Sequence, residues 1–440
     1  NITGRSAFSR LFEEEFARQT FSVKKGRAKK ELTITEALDL LHSGDRKQRK
    51  EAQLGFSNGL KENSRRLTYI TNTLLQDKAI RDRYHHFGVP EDARHLENQI
   101  TKSEVDLLVK TVRSSYKDVA AYYRLKSKLL KIRKLYDYDR YAPLTTRESK
   151  TSFSKAREQI ISSFSGFHPE FGRIAKEFFV KRWIDAADRP GKRSGAFCSF
   201  CTPDTHPWVF MNYSGTGRDV STLAHELGHA IHAYLMRKQN YLNFDTPLTI
   251  AETASVFAEL VLFQHLVATT RSPVTKAKLY LHQIENVIAT VHRQISMFQF
   301  ERALHDASAK QGELSTEVIN GIWRETQLDM FQGAITLTPE YDYWWSYIPH
   351  FIHTPFYVYA YSFGQLLALG FMNLHRQAPE KFAERYIEFL SSGNSASPKE
   401  LLQVFKINLS KADIWREGVK SFRQMIRDAE KLCTEAQLLK

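Results

Sequence analysis

The sequence predicts a mainly α-helical protein with one short pair of β-strands beside a histidine-bearing helix. Apolar residues recur at helical spacing across residues 35–135 and again after Glu252. The stretch 195–215 differs, because residues 208–213 are apolar and aromatic and lie between a proline and a glycine. With 440 residues, of which 42% are hydrophobic, the chain can bury a large core, and we expect two lobes.

The elements before the strands follow one another with clear boundaries. Helical patterns occupy residues 34–41, 49–75 and 102–130, and Pro143 interrupts them. A second helical stretch at 154–187 leads into the Gly- and Pro-marked segment DRPGKRSGAFCSF, which precedes the strands. Beyond the strands, the pattern predicts helices to the end of the chain.

The helix predicted at residues 222–235 carries the string HELGH, which contains His225, Glu226 and His229. Histidines four residues apart lie on one helical face, one turn apart, so both imidazoles can reach a single metal ion. Glu226 points about 100° around the helix from His225, toward the open coordination position of such an ion. The pattern is typical of a zinc hydrolase.

The expected third metal ligand is Glu252, on the following helix. The HExxH class that uses a third histidine needs glycine at position 232 and histidine at 235, but this chain has His232 and Leu235. Glu252 lies 23 residues after His229, beyond a polar connecting stretch. Two neutral imidazoles and one carboxylate leave a zinc ion with a net positive charge and a free position, which suits activation of water. Glu259, two turns further on, either orients a ligand histidine or pairs with a basic side chain.

A basic helical adaptor with an incidental HExxH motif is the non-enzymatic alternative. The formal net charge is +14, with basic clusters at residues 23–30 and 45–50. Such clusters can bind nucleic acid, but no aromatic platform is interleaved with them, so we expect solvated surfaces and no nucleic-acid partner. A positive field would instead attract anionic peptides. About one zinc ion per chain would favour the enzyme over the adaptor.

The segments GRDVSTLAHELGHAIHAYL and TIAETASVFAE resemble the active-site region of the oligoendopeptidase F branch of the thimet oligopeptidase family. The resemblance extends to SGAFCSFCTPDTHPWVFMNYSG upstream, to FQFERALHDAS downstream, and to IPHFIHTPFYVYAYSFGQLLALG near the C-terminus. It implies a two-lobed helical zincin with a deep channel, one zinc ion per chain, and hydrolysis of internal bonds in short unstructured peptides. Glu226 would take a proton from water and pass it to the leaving amine.

The resemblance also implies a division into domains. The chain starts within a sequence that resembles the middle of an oligoendopeptidase F. Residues 1–45 are therefore expected to form the truncated end of an N-terminal helical domain, and residues 46–440 the zinc metallopeptidase domain.

A dense group of histidines and tyrosines, from His350 to Tyr361, is expected near the metal. Stabilising an oxyanion needs a second electrophile beside the ion. In the resembling family a histidine and a tyrosine from this region face the zinc, which implies catalytic roles for His350 and Tyr359. Tyr357 is expected to bind substrate. Core packing is the alternative for each aromatic residue.

The strands before the HELGH helix are expected to contact the substrate. A short hairpin there offers an exposed edge to which an extended peptide adds as a strand, with Asn212 and Tyr213 as substrate-binding residues. A hairpin that simply packs in the core is the alternative.

The remaining expectations concern the enzyme class and the compartment. A metallocarboxypeptidase or dipeptidyl carboxypeptidase on the same scaffold is the enzymatic alternative, and an Arg or Lys that anchors a carboxylate would favour it. Three cysteines, Cys198, Cys201 and Cys433, are too few for a disulfide framework and favour a reducing, cytoplasmic location. No apolar run reaches the ~18 residues of a membrane span, so no membrane association is expected. The oligomeric state and the cleavage preference are left open.

Overall fold

The computed structural model describes residues 3–25, 28–144, 150–189, 191–193 and 195–439. Helices dominate this part of the chain, and a small sheet lies next to the helix that carries HELGH, which confirms the predicted fold class. The α-helices of the first half are α1 (Gly4–Arg18), α2 (Ile34–Asp39), α3 (Arg46–Glu62), α4 (Ser64–Tyr84), α5 (Asp92–Glu97), α6 (Lys102–Arg113), α7 (Tyr116–Leu130), α8 (Phe153–Phe167) and α9 (Pro169–Val180).

The second half begins with the HELGH helix. Its α-helices are α10 (Gly217–Met236), α11 (Leu248–Thr269), α12 (Pro273–Val287), α13 (Arg293–Gln311), α14 (Thr316–Phe331), α15 (His350–His353), α16 (Tyr359–Gln377), α17 (Pro379–Ser391), α18 (Pro398–Leu401) and α19 (Asp413–Glu435). A π-helical segment, Ile288–His292, joins α12 to α13. Short 3₁₀ segments occur at Leu40–His42, Asp137–Asp139, Tyr241–Asn243, Pro339–Tyr343 and Leu402–Phe405.

The sheet beside α10 has three strands, β3 (Ile184–Ala187), β4 (Phe197–Ser199) and β5 (Trp208–Tyr213). β5 is central; it pairs in parallel with β3 and antiparallel with β4. The β4–β5 pair is the predicted hairpin. β3 was expected to be helical, but α9 ends at Val180 and Arg182 adopts a left-handed conformation (φ 57°), which turns the chain into the strand.

A second hairpin, of β1 (Phe21–Lys25) and β2 (Ala28–Leu32), was not predicted from the sequence. Its lysine-rich composition hides the strand pattern, yet Phe21 and Val23 are buried and pack in the main core. The other basic cluster opens α3, where buried Arg49 pairs with Asp139 at 2.9 Å. Part of the positive charge therefore stabilises the fold. The domain division at residue 45 stays a prediction.

Helix α11 lies in the core in contact with both α10 and α16. Two glycines permit this close approach. A Cβ on Gly228 would lie 2.7 Å from the Cα of Ser255, and one on Gly364 would lie 2.9 Å from the Cβ of Glu252. By length and hydropathy α11 also resembles a membrane span, but 61% of its most apolar window is buried inside the protein. Burial between neighbouring helices accounts for that composition.

Candidate metal centre

Helix α10 begins at a capping box that fixes the first turn. The side chain of Thr216 accepts a hydrogen bond from the backbone of Asp219, and the Asp219 carboxylate accepts one from the backbone of Thr216. Two turns later the imidazole rings of His225 and His229 lie side by side, with centroids 4.9 Å apart. The predicted spacing therefore places both rings on one face.

Helix α11 brings Glu252 to the same place. One potential ligand atom from each of His225, His229 and Glu252 lies within 4.8 Å of the others. The Oε2 atom of Glu252 is 3.8 Å from the Nε2 atom of His225, and the Oγ atom of Ser255 donates a hydrogen bond to the same oxygen at 3.5 Å. The three residues predicted to bind zinc thus form one cluster.

Glu259 fixes the orientation of His225. Its Oε1 atom is 2.6 Å from Nδ1 of His225, while Ser221 donates a hydrogen bond to its Oε2 atom at 3.0 Å. Because Nδ1 is occupied in this way, Nε2 of His225 is the nitrogen left for a metal ion. Of the two interpretations open from the sequence, the structure supports the orienting role.

Glu226 is buried, with 6% of its surface exposed, on the turn between the two histidines. Burial raises its pKa to about 7; the negative charges of Glu252 and Glu259 add to this, and His225 opposes it. A hydrogen bond with the backbone of Cys198 in β4 also lowers the pKa. A carboxyl group poised near neutral pH can both accept and return a proton.

The two histidines are held in different electrostatic environments. Burial alone would lower the pKa of His225, but the Glu259 hydrogen bond and the surrounding carboxylates raise it to about 9. Burial lowers the pKa of His229 well below its ordinary value, and the charge of His225 adds to the effect. The pKa of Glu252 is raised, mainly by burial.

This donor set fits a zinc ion. Two imidazole nitrogens and one carboxylate oxygen match a common ligand set of catalytic zinc, which keeps a further position for substrate or solvent. Ser221, Ser255 and Glu259 supply the hydrogen bonds that such ligands ordinarily require. A divalent cation would also counter the burial and repulsion that raise the carboxyl pKa values.

His350, Tyr357 and Tyr361 form a second group of polar side chains close to Glu252. The Nε2 atom of His350 is 3.4 Å from the hydroxyl of Tyr361, and the two tyrosine rings are 5.0 Å apart. Burial raises the pKa of both phenols, and the charge of Glu252 raises each further. Both hydroxyls are therefore protonated donors near the candidate ligand.

Tyr359 does not join this group. Its hydroxyl accepts a hydrogen bond from Asn98 at 2.9 Å and lies 3.2 Å from His95, and its ring is fully buried. The reason is geometric: α16 begins at Tyr359, and residues two apart in a helix point about 200° away from one another. Tyr361, to which the sequence assigned no role, lies instead beside His350 in the group close to Glu252.

The backbone before α16 is held by a buried carboxylate. Phe356 adopts a left-handed conformation (φ 59°), and its N–H donates to the Oε1 atom of Glu301 at 2.8 Å. Glu301 is 2% exposed, and burial raises its pKa to about 8. The sequence offered only one hint of this role, the FQFERALHDAS segment that contains Glu301.

Asn212 and Tyr213 both make hydrogen bonds to the backbone. Asn212 donates to the carbonyl of Arg193 at 2.8 Å, and Tyr213 donates to the carbonyl of Thr151 at 2.9 Å. Because they belong to the central strand, an added peptide strand would pair with an edge strand, β3 or β4, and not with β5. A direct contact between these two side chains and substrate stays a prediction.

The comparison with protein families decides the class of this chain. Residues 39–421 match the model of peptidase family M3. The chain belongs to that family. The resemblance inferred from the sequence is thereby confirmed at the level of the family, and the candidate centre lies within the matched residues.

Curated relatives are similar to this chain over most of its length. It is 28% identical to oligoendopeptidase F, chromosomal, of Lactococcus lactis subsp. cremoris, over 77% of this chain and 56% of that protein. It is 28% identical to oligopeptidase PepF of Bacillus subtilis, over 92% of this chain and 60% of that protein. The chain thus spans less than two thirds of the length of these relatives.

Solved structures share the fold. A putative peptidase from Chlamydophila abortus matches with a TM-score of 0.87 and 25% identity, over 97% of this chain and 72% of that one. Oligoendopeptidase-F from Enterococcus faecium matches with a TM-score of 0.78 and 22% identity, over 98% of this chain and 72% of that one.

Proposed function

We propose that this M3-family protein is a zinc-dependent oligoendopeptidase that hydrolyses internal bonds of short unstructured peptides. The observation that carries the proposal is the convergence of His225, His229 and Glu252 around one point, with buried Glu226 beside it. Oligoendopeptidase F and PepF among the relatives support peptides as substrates.

His225, His229 and Glu252 would hold one zinc ion. When bound there, zinc supplies a Lewis acid that polarises the scissile carbonyl and makes water more acidic. Glu226 accepts the proton of the attacking water and returns it to the leaving nitrogen, because its buried carboxyl group lies on the turn between the two histidines.

Tyr361 and His350 would stabilise the negative charge that develops on the carbonyl oxygen. A protonated phenol donates a strong hydrogen bond to an oxyanion, and donors arranged in advance need no reorganisation during the reaction. Tyr357, whose ring packs near both side chains, is proposed to bind the substrate. In this proposal Tyr361 replaces Tyr359, whose hydroxyl is engaged by Asn98.

Short, extended substrates follow from the position of the site. The cluster lies between α10 and α11, which are mostly buried, with side chains only partly exposed. A folded protein would have to unfold locally before a peptide bond reached it, at a cost that grows with the number of residues opened. We propose peptides of roughly 5–20 residues as substrates, with β4 as the edge that binds their backbone. A cytoplasmic location is part of the same proposal.

Digestion of a random peptide mixture, followed by mass spectrometry, tests this function. The zinc-loaded protein should cut internal bonds of short peptides and leave casein almost intact. Glu226→Gln should lower the rate by at least ~100-fold, because it removes the proton acceptor while retaining the shape. Its zinc content should stay near one ion per chain. Rapid hydrolysis by the metal-loaded variant would contradict the role of Glu226, and efficient digestion of casein would contradict a confined site.

A further inference from the structure

One peptide unit, between Pro355 and Phe356, is held from both sides by side chains of two helices. The Nε atom of Arg94 in α5 donates a hydrogen bond to the carbonyl oxygen of Pro355 at 3.4 Å. The Oε1 atom of Glu301 in α13 accepts one from the N–H of Phe356 at 2.8 Å. The carbonyl and the N–H lie at opposite edges of the same planar amide, so the two contacts together fix the orientation of its plane. Glu301 makes the shorter and stronger contact.

The orientation of this peptide plane decides the backbone conformation of Phe356. Rotating the amide changes φ of Phe356, which is 59°, a left-handed conformation that is unfavourable for a bulky side chain. A flip of the plane would relieve that conformation. It would also turn the amide N–H toward the guanidinium of Arg94, which offers only donors. The unfavourable conformation therefore persists because Arg94 and Glu301 hold the amide in place.

The side chains that hold this peptide unit are themselves held in place. Glu301 is 2% exposed. The side chain of Arg94 is 12% exposed, and its Nη1 atom lies 2.5 Å from the carboxylate of Glu97. Two residues earlier in the same segment, the carbonyl of His353 accepts a hydrogen bond from Arg5 of α1 at 2.5 Å. Three helices thus hold the chain between α15 and α16 through its backbone, and this attachment does not depend on the side chains of the segment.

Arg94 also contacts the tyrosine that directly follows the held peptide unit. Its guanidinium carbon lies 5.7 Å from the ring centre of Tyr357, within the range of a cation–π interaction. The ring of Tyr357 lies 5.0 Å from that of Tyr361 and 5.9 Å from that of His350. A shift of the backbone before Tyr357 would therefore displace the side chains proposed to stabilise the oxyanion.

We propose that Glu301 and Arg94 are positioning residues of the candidate metal centre. By fixing one peptide plane they set the direction in which α16 starts, and so orient the hydroxyl of Tyr361 toward the carbonyl oxygen of the substrate. The proposal rests on the proposed peptidase function. Neither side chain has to touch the substrate. Their contribution should appear in kcat, because displacing a group that acts in the transition state by about 1 Å can lower a rate ~100-fold.

Turnover of a short, internally quenched peptide by zinc-loaded variants tests this proposal. Glu301→Met, which removes the hydrogen-bond acceptor, should lower kcat ~10–100-fold and change KM by less than ~3-fold. Glu301→Gln keeps an acceptor oxygen and should restore kcat to within ~3-fold of the wild type. Arg94→Met should lower kcat by about 10-fold, since its contact with the amide is longer. Glu97→Gln is the matched control: this carboxylate partner of Arg94 is 64% exposed, so its loss should leave kcat unchanged.

A double-variant cycle separates positioning from general damage. If Glu301 acts through Tyr361, its replacement should matter little once the hydroxyl is gone. Glu301→Met should therefore lower kcat by less than ~3-fold in a Tyr361→Phe background. An equal loss of kcat in both backgrounds would refute the proposal. Should Glu301→Met fail to fold, Arg94→Met serves in the same cycle.

Amide hydrogen exchange, followed by mass spectrometry, gives a readout without turnover. Exchange in fragments that cover residues 353–358 should be at least ~10-fold faster in Glu301→Met than in the wild type, and exchange in α14 should be unchanged. Unchanged exchange in residues 353–358 would refute the proposal. Faster exchange with a wild-type kcat would refute it as well, because the contacts would then be structural only. Failure of the wild type to cleave any peptide would instead refute the peptidase function, and the exchange measurement would still report on the held amide.

Discussion

Replacing Gly228 by alanine would separate the two helices that carry the metal ligands. Gly228 precedes His229 on α10. A Cβ at this position would lie 2.7 Å from the Cα of Ser255, 2.8 Å from the Cβ of Ala258 and 2.9 Å from the carbonyl oxygen of Ala254. All three neighbours belong to α11, the helix of the third ligand, and two of them are atoms of its backbone. No flexible side chain can move aside to make room.

The size of the displacement follows from these distances. Ordinary contacts of a Cβ atom start at 3.4 Å, so α11 must move by about 0.7 Å (3.4 − 2.7) to accommodate the methyl group. Metal–ligand distances tolerate deviations of only about 0.2 Å. Overpacking of this kind costs about 1–3 kcal/mol of folding free energy. We expect zinc affinity to fall at least ~10-fold, because Glu252 moves away from the two histidines.

Competition with a chromogenic chelator would measure the zinc affinity, and thermal unfolding would measure the stability. Gly321→Ala is the matched control: Gly321 also lies within a helix, α14, but a Cβ there meets no atom within 4 Å. That variant should bind zinc normally and gain about 0.5–1 kcal/mol from improved helix propensity. If Gly228→Ala bound zinc with wild-type affinity and unfolded at the wild-type temperature, the close approach would not control the site.

Three further predictions concern residues around the centre. Glu252→Ala should abolish tight zinc binding. Glu259→Ala should weaken zinc binding about 10–100-fold, which is the usual effect of losing a residue that orients a metal ligand. Zinc titrations that showed the opposite order would mean that the two roles are exchanged. Tyr361→Phe should lower kcat about 100-fold or more with little change in unfolding temperature. Tyr359→Phe should instead cost about 1–2 kcal/mol of stability, because Asn98 and His95 lose a buried partner, and it should leave kcat nearly unchanged. If Tyr359→Phe lowered kcat and Tyr361→Phe did not, the assignment made from the sequence would be restored. Glu301, with its pKa raised from 4.5 to about 8 by burial, binds its proton more tightly in the folded than in the unfolded state. The free energy of unfolding should therefore decline as pH rises from 4.5 to 8, by roughly 5 kcal/mol at most (3.5 units at 1.36 kcal/mol each), and Glu301→Gln should remove that decline. Urea unfolding across this pH range measures the difference between the two proteins, and parallel profiles would contradict it.

The metal ligands could be predicted because their geometry depends on local spacing. Histidines four apart on a helix must share a face, and Glu252 follows after one connecting loop. The helical class was equally accessible, since its apolar spacing extends over long segments. β1–β2 escaped prediction because burial of Phe21 and Val23 against α3 outweighs the weak strand propensity of its lysines.

The tyrosine assignment depended on information that the sequence does not display. Whether Tyr359 or Tyr361 faces the metal is decided by where α16 starts, and that boundary follows a left-handed residue held by Glu301 from another helix. The partners of Tyr359 lie more than 260 residues away in the chain. A small uncertainty in a helix boundary therefore reverses the direction of a side chain.

The same reasoning applies to buried charges. The basic cluster at residues 45–50 is typical of a solvated surface, yet Arg49 is buried and pairs with Asp139 at 2.9 Å. Whether a charge is paired depends on side chains from distant segments, whereas whether two histidines share a face depends on four residues of one helix. Residues that bind the metal can thus be read locally. Side chains whose role depends on distant partners, such as Tyr359 and Glu301, require the tertiary structure, because those partners come from other segments of the chain.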